Sequence, residues 1–550
     1  MSAAHLRSSV FAALCLLGLS AADAATLPAG FAETRVATGL VNPTAMAIAP
    51  DGRVFVSEQG GTLRVVKNNV LLSQPFLTLT VNSAGERGLL GVAFDPEFPA
   101  NHYIYVYYTT AASPIHNRVS RFTASTSNPD VVQAGSEMQL LNLPTLGATN
   151  HNGGGLHFGT DGKLYISVGE NAVRDNAQSL NTPLGKMLRI NADGSIPTDN
   201  PFYSQTTGIN RAIWAMGLRN PFTFAVDYAF PRIHINDVGE NTWEEVNLGV
   251  RGANYGWPLT EGNSPAGVSG VRYPIYTYSH DGSTCAIVGA TFYRPYALRF
   301  GRAYDGRYFF GDLCAGFIRT LSPPNYSSAS GFATGINQLV DIQTHPDGSL
   351  YYLARGGGEL FRVQSSTSTL VFQDDFESAR GWVLTGGQNT ATTGLWQRGD
   401  PEPTSNAGMP LQPGSCQGSS NCLVTGLTAG AGNGSNDVDG GQTSIQSPAI
   451  ALPAGRAITL SFGMYFAHSA DANSSDYFRV RVVGENGVVQ TVWARGGTAS
   501  NVAAAWTTRT ASLDAWAGQT IQLRIDAADA VSGGGSLIEA GVDNVAITAQ

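Results

Sequence analysis

Charged side chains are what this sequence has least of. Asp, Glu, Lys and Arg together make up 13% of it, against about 25% in ordinary soluble domains. Long amphipathic helices, whose outer faces carry charge, are therefore not expected. The formal net charge is −9 and no run of Lys or Arg interrupts it. That excludes nonspecific nucleic-acid binding, which needs basic patches to displace counterions. Beyond the N-terminus no apolar run is long enough to span a bilayer. Cysteines number five, with no CxxC and no Cys/His spacing, which argues against a thiolate metal centre.

Glycine, in contrast, is abundant at 65 residues, with an ordinary 43% of hydrophobic residues. Low charge with many glycines fits short strands and tight turns. At 550 residues the chain exceeds one compact core, so two or more domains are expected. His5 and Arg7 precede the apolar run Val10 to Leu19, and Ala22-Asp23-Ala24 follows as a small-x-small cleavage site. Residues 1–24 therefore read as an export signal, and the protein as secreted or periplasmic. Without Cys15 of that run, four cysteines remain. In an oxidising compartment they favour two disulfides, Cys416–Cys422 closing a small loop and Cys285–Cys314 stapling another domain.

From Ala45 to Val363 one unit recurs: a short apolar strand, a tight turn, then an alternating strand. AMAIAPDGRVFVSE, GLLGVAFDPEFPANHYIYVYYT, LHFGTDGKLYISVGE, FTFAVDYAFPRIHINDVGE, FGRAYDGRYFFGDLCAGFIRTL and VDIQTHPDGSLYYLARGGGELFRV are its copies. Asp51-Gly52, Asp161-Gly162, Asp305-Gly306 and Asp347-Gly348 supply the positive φ of hairpin turns. Val54/Val56 and Leu164/Ile166 alternate, so one buried face is expected. Copies roughly 45–65 residues apart fit four-stranded propeller blades better than a sandwich with incidental turns. The expectation is all-β: a six-bladed β-propeller over 25–363, a Ser/Thr-rich linker over 364–371, and a jelly-roll β-sandwich over 372–550. In that tail Asp375 and Asp543 could share a Ca²⁺, although exposed strand-end acids are the commoner case. Trp382 and Trp396 could stack on sugars, although core tryptophans are commoner.

Three stretches carry polar chemistry. His151 heads Asn152-Gly153-Gly154-Gly155, whose lack of side chains leaves room for another molecule. Glu170, one hairpin on, can return to the ring, fix its tautomer and raise its basicity, as a general base requires. Arg219 offers a planar donor fork and Asn220 both a donor and an acceptor. Asp237-Val238-Gly239-Glu240 is an acidic turn whose backbone carbonyls suit a hard cation.

Together, with Glu86-Arg87-Gly88-Leu89-Leu90-Gly91, Leu184-Gly185-Lys186-Met187-Leu188-Arg189-Ile190, Trp243-Glu244-Glu245-Val246-Asn247 and Ala253-Asn254-Tyr255-Gly256-Trp257-Pro258, they resemble the glucose/sorbosone dehydrogenase family. Gly311-Asp312-Leu313-Cys314-Ala315-Gly316 fits a common variant of it. The resemblance covers about residues 30–363. It implies a six-bladed propeller using pyrroloquinoline quinone (PQQ) and Ca²⁺ to oxidise an aldose or related polyol, with an external electron acceptor. His151 would take the proton of the anomeric hydroxyl, Glu170 would orient it where relatives usually have Asp, and Arg219 would polarise the quinone. Glu86, His151, Arg219 and Asn220 would contact the cofactor, and the carbonyls of Gly239 and Glu240 would hold Ca²⁺. The tail resembles MAM-like accessory domains, implying contact with a glycan or surface. Relatives carry Arg-x-Arg-Asp where this chain has Gln338-Leu339-Val340-Asp341, and many have Arg in place of Phe317. That departure keeps a second reading open, a non-catalytic propeller that binds a protein or glycan, as in hedgehog-interacting-type relatives. Arg294, Arg319 and Arg355 are the candidates to supply the missing charge.

Overall fold

In the computed structural model, residues 24–428, 430, 432, 434–530 and 536–550 are described. The expected export signal lies outside them, apart from Ala24. No described helix is long and apolar enough to cross a membrane.

Six antiparallel sheets follow one another between residues 31 and 365. Their innermost strands are Pro43–Ile48, Leu89–Phe94, Leu156–Phe158, Pro221–Asp227, Ile287–Phe292 and Leu339–Thr344. Each packs against the next, and the last packs against the first, so the six sheets form the blades of a closed ring. The N-terminal strand Phe31–Ala37 closes it by pairing with Glu359–Ser365, from Phe31↔Ser365 to Arg35↔Phe361 and, after a bulge, Ala37↔Leu360. The sixth blade is thus three C-terminal strands plus the first strand of the chain.

Three expectations change. Val54–Glu58 and Leu164–Val168 alternate in sequence, yet every residue of both is buried. Blades cover each other on both faces, so the alternation marks two packed sides rather than one wet side. In the fifth copy the apolar inner strand is Ile287–Phe292, upstream of FGRAYDG, which forms a loop and a 3-10 turn instead. The connector is also shorter than 364–371, because Glu359–Ser365 runs into it and a new strand starts at Thr369.

That new strand begins a sandwich of two six-stranded antiparallel sheets. Ile458, Leu460, Phe462, Met464 and Phe466 on one sheet meet Phe478, Val480 and Val482 on the other. Burying each such side chain contributes about 1.5–3 kcal/mol. Trp396 is part of this core, and Trp382 packs on it while donating to Asp374 Oδ2 at 2.9 Å. Neither forms an exposed sugar platform. Asp543 is buried and accepts from the Gln417 N–H at 2.9 Å and the Ser419 hydroxyl at 2.7 Å, so it is not an exposed strand-end acid. No group of three or more His, Cys, Asp or Glu placed to hold a metal occurs among the described residues.

The sandwich docks where the inner strands end. Tyr296 donates to Gln417 O at 2.9 Å, Arg302 pairs with Asp514 at 2.7 Å, and the Ser461 hydroxyl bonds Tyr296 O. A cavity of about 470 Å³ remains between the ring's base and Gln417 and Trp506.

Both disulfides form, Cys285–Cys314 and Cys416–Cys422. Cys285 precedes the fifth inner strand and Cys314 sits in the turn between the second and third strands of the same blade, 29 residues on. Replacing both by Ser should cost about 3 kcal/mol of unfolding free energy through loop entropy. Urea unfolding of the oxidised protein and the double variant measures it.

Candidate active site

Inner strands all start at one end of the ring, and the turns between second and third strands of each blade return to that end. Glu86, His151 and Arg219-Asn220 precede inner strands; Glu170 and Gly239-Glu240 lie in second-to-third connections. Topology alone therefore gathers all the expected residues at one mouth, opposite the sandwich.

His151 takes a left-handed backbone, φ 53°, a conformation that non-glycine residues hold only when their surroundings enforce it. Three contacts enforce it here. Glu86 Oε2 accepts the His151 N–H at 2.7 Å, and His151 O accepts from the Asn171 N–H at 3.2 Å. The ring Nδ1 lies 2.5 Å from Glu170 Oε1. Glu170 is buried, so Nδ1–H donating to it leaves Nε2 as the proton acceptor. Glu170 is held by its own loop, since its N–H donates to Arg219 O at 2.9 Å and its carbonyl accepts from Asn176 Nδ2 at 3.0 Å.

The glycines after His151 do not leave the open space expected of them. A Cβ on Gly153, at φ +65°, would come within 2.6 Å of Ser167 O, and one on Gly155 within 2.8 Å of Ser167 Oγ. They let the chain's own strands approach, so the loop is rigid. Asn220 serves the same end: its Oδ1 accepts the Gly153 N–H at 3.0 Å.

Arg219 lies over Trp257, 5.5 Å from the ring centroid, and donates from Nη1 to Val238 O at 3.2 Å. Its Nε and the Trp257 Nε1 are both buried without a partner. Unpaired buried donors cost free energy unless a ligand meets them. Asp237 fixes the segment below, accepting the N–H groups of Arg219 and Asn220 at 2.9 and 2.8 Å.

The acidic turn is organised by Glu261, which sequence reasoning missed. Its Oε1 accepts the N–H groups of Glu240, Asn241, Thr242 and Trp243 at 2.8–3.2 Å. With those donors drawn inward, no protein donor among the described residues reaches the carbonyls of Gly239 or Glu240. Two free carbonyls beside carboxylates are a donor set that fits a hard cation such as Ca²⁺. The donors left over at Arg219 and Trp257 fit an acceptor-rich, anionic ring.

The candidate substitutes for the missing arginines are engaged elsewhere. Arg294 lies at the base, paired with Asp227 and Asp305. Arg355 donates to Asn42 O, Pro43 O and Gln59. Arg319 stacks on Phe317 at 3.9 Å. Val340 is buried in the core between the first and sixth blades. Arg174, in contrast, joins the mouth: it pairs with Glu240 and lies 5.1 Å from the Trp257 centroid. Nothing in the sequence marked it, because its partners lie 66 and more residues away.

Beneath the turn, Asp237 and Glu245 face each other across adjacent strands, both buried. Burial pushes Asp237 up to about 7 and Glu245 up to about 8, with the charge of Asp237 adding to the rise at Glu245. The folded state therefore keeps protons that the unfolded chain releases, and stability falls as pH rises from about 4 through about 8. Asn247 donates to Glu245 Oε2 at 2.9 Å while its own Oδ1 is buried without a partner. An amide flip thus accommodates Glu245→Gln. The melting temperature of this variant should decline less between pH 5.5 and 8.5 than that of the wild type, as thermal circular dichroism will show.

The sequence profile described as Glucose / Sorbosone dehydrogenase matches residues 40–362. The chain is 29% identical over 343 residues to Aldose sugar dehydrogenase YliI of Escherichia coli (strain K12), covering 59% of this chain and 90% of that protein. It is 30% identical over 314 residues to Quinoprotein glucose dehydrogenase B of Acinetobacter calcoaceticus, covering 50% and 64%. It is also 30% identical over 233 residues to Hedgehog-interacting protein of Homo sapiens, covering 38% and 33%. Among solved structures, the apo-form soluble aldose sugar dehydrogenase of Escherichia coli aligns with a TM-score of 0.52 at 26% identity, covering 61% of this chain and 99% of that one.

Proposed function

The chain belongs to the glucose/sorbosone dehydrogenase family, and from that premise we propose that it is a secreted or periplasmic sugar dehydrogenase using PQQ and Ca²⁺. Its substrate is an aldose or related polyol, oxidised at the anomeric hydroxyl, with electrons leaving to an external acceptor. The observation that carries this reading is the His151–Glu170 pair, which leaves Nε2 as a base at the mouth beside Arg219.

The protein's part is positioning and proton transfer. PQQ, when bound, would supply the two-electron oxidising chemistry that the loss of the anomeric hydroxyl proton accompanies. His151 Nε2 receives that proton. Glu170 keeps the ring in the required tautomer and stabilises the imidazolium that forms. Glu86 and Asn220 hold the His151 loop still from opposite sides. Arg219 directs its unpaired donor at developing negative charge. The carbonyls of Gly239 and Glu240 are the metal ligands in this reading. The sandwich, MAM-like in its first and last strands, is an accessory module that can meet a glycan or surface.

Gln338 and Val340, standing where cofactor-binding arginines are expected, favour a second reading: a propeller that binds a protein or glycan without turnover. The similarity to Hedgehog-interacting protein points the same way. Dye reduction by the purified protein, with PQQ, Ca²⁺ and a panel of aldoses, separates the two. Turnover is expected, and His151→Ala should lower kcat by about 100-fold or more. Turnover that survives intact in that variant rules out the proposed base. Absence of turnover on every sugar, with calorimetric glycan binding, supports the second reading.

A further inference from the structure

We propose that Arg174 anchors a carboxylate of the quinone cofactor, taking over charge that Gln338 and Val340 do not provide. This inference rests on the function proposed above and adds a residue to its binding site.

Four observations converge on Arg174. It lies in the 3-10 turn Arg174–Gln178, on the loop that carries Glu170, so its backbone is fixed relative to the base. Its guanidinium and that of Arg219 lie 5.1 and 5.5 Å from one indole, Trp257, giving a cation–aromatic–cation cluster. Arg219 Nε and Trp257 Nε1 there are buried donors without partners. Arg174 also pairs with Glu240, whose carbonyl is a proposed metal ligand.

Even with a cation at the Gly239 and Glu240 carbonyls, a second guanidinium beside Arg219 favours an anion. Glu86, Glu170, Glu240 and Glu261 all lie at this end of the ring. A planar polycarboxylate entering that field is repelled unless cations meet it. Arg355 and Arg319, at the same end of the ring, are engaged with Asn42, Pro43, Gln59 and Phe317. Arg174 is held by an ion pair with Glu240 and by its contact with Trp257, and its side chain is 55% accessible. Such pairs are worth little and exchange readily for a bidentate carboxylate.

The test is equilibrium binding, independent of turnover. Ca²⁺-supplemented protein is titrated with PQQ and followed by quenching of tryptophan fluorescence. Arg174→Ala should weaken binding about ten-fold or more. Arg174→Lys, which keeps charge but loses the fork, should fall between it and the wild type. Arg380→Ala, which removes an exposed arginine of the sandwich, should bind as the wild type does. Near-ultraviolet circular dichroism checks that each variant is folded. Equal affinity in wild type, Arg174→Ala and Arg174→Lys overturns the assignment of Arg174 alone. No binding by the wild type overturns both this assignment and the proposed function.

Discussion

The pairing of Phe31–Ala37 with Glu359–Ser365 is the contact on which the remainder of the propeller rests. Six inner strands make a ring only if the last blade meets the first, and this seam joins residues more than three hundred positions apart. It completes the sixth blade with the first strand of the chain, so that the two ends of the propeller are tied into one sheet. Once the ring is shut, each inner strand starts at the same end. His151, Arg219 and Glu86 then become neighbours although they are dispersed in sequence. The site is thus a product of closure, and the loops only refine it.

Refinement follows a consistent rule: polar groups in the mouth first immobilise the backbone. Glu86 holds a backbone N–H, Asn220 holds another, and Asp237 holds two. Glu261 holds four. Among the side chains left to face a ligand are His151, Arg219, Trp257 and, once its pair with Glu240 opens, Arg174. A catalytic geometry built this way is preorganised, with its reorganisation cost met during folding. The raised pKa values of Asp237 and Glu245 are a by-product of the same burial.

Much of this was legible in the chain. Asp51-Gly52, Asp161-Gly162 and Asp347-Gly348 marked inner hairpins because each closes a three-residue loop on a glycine at positive φ, which local composition reveals. The His151–Glu170 pair was legible because one hairpin separates its members. Gly306 has the expected positive φ, but the residues before it misled: Arg302–Tyr304 is a 3-10 turn, and the inner strand Ile287–Phe292 lies upstream. The glycines after His151 also misled, because close approach by the chain's own strands and by a ligand leave the same signature. Glu261 and Arg174 were illegible, as their meaning comes from partners brought near by topology. So was the contact of Tyr296 with Gln417, which spans 121 residues and two sheets of unrelated pattern.

The sandwich covers the end of the ring at which the inner strands finish, with Gln417 and Trp506 facing Met46, Ala290 and Gln343 across the cavity. The two ends of the propeller therefore differ in kind: one is lined by the second domain, while the mouth that holds His151 faces away from it, so a change in how the sandwich sits would reach that histidine only through the blades.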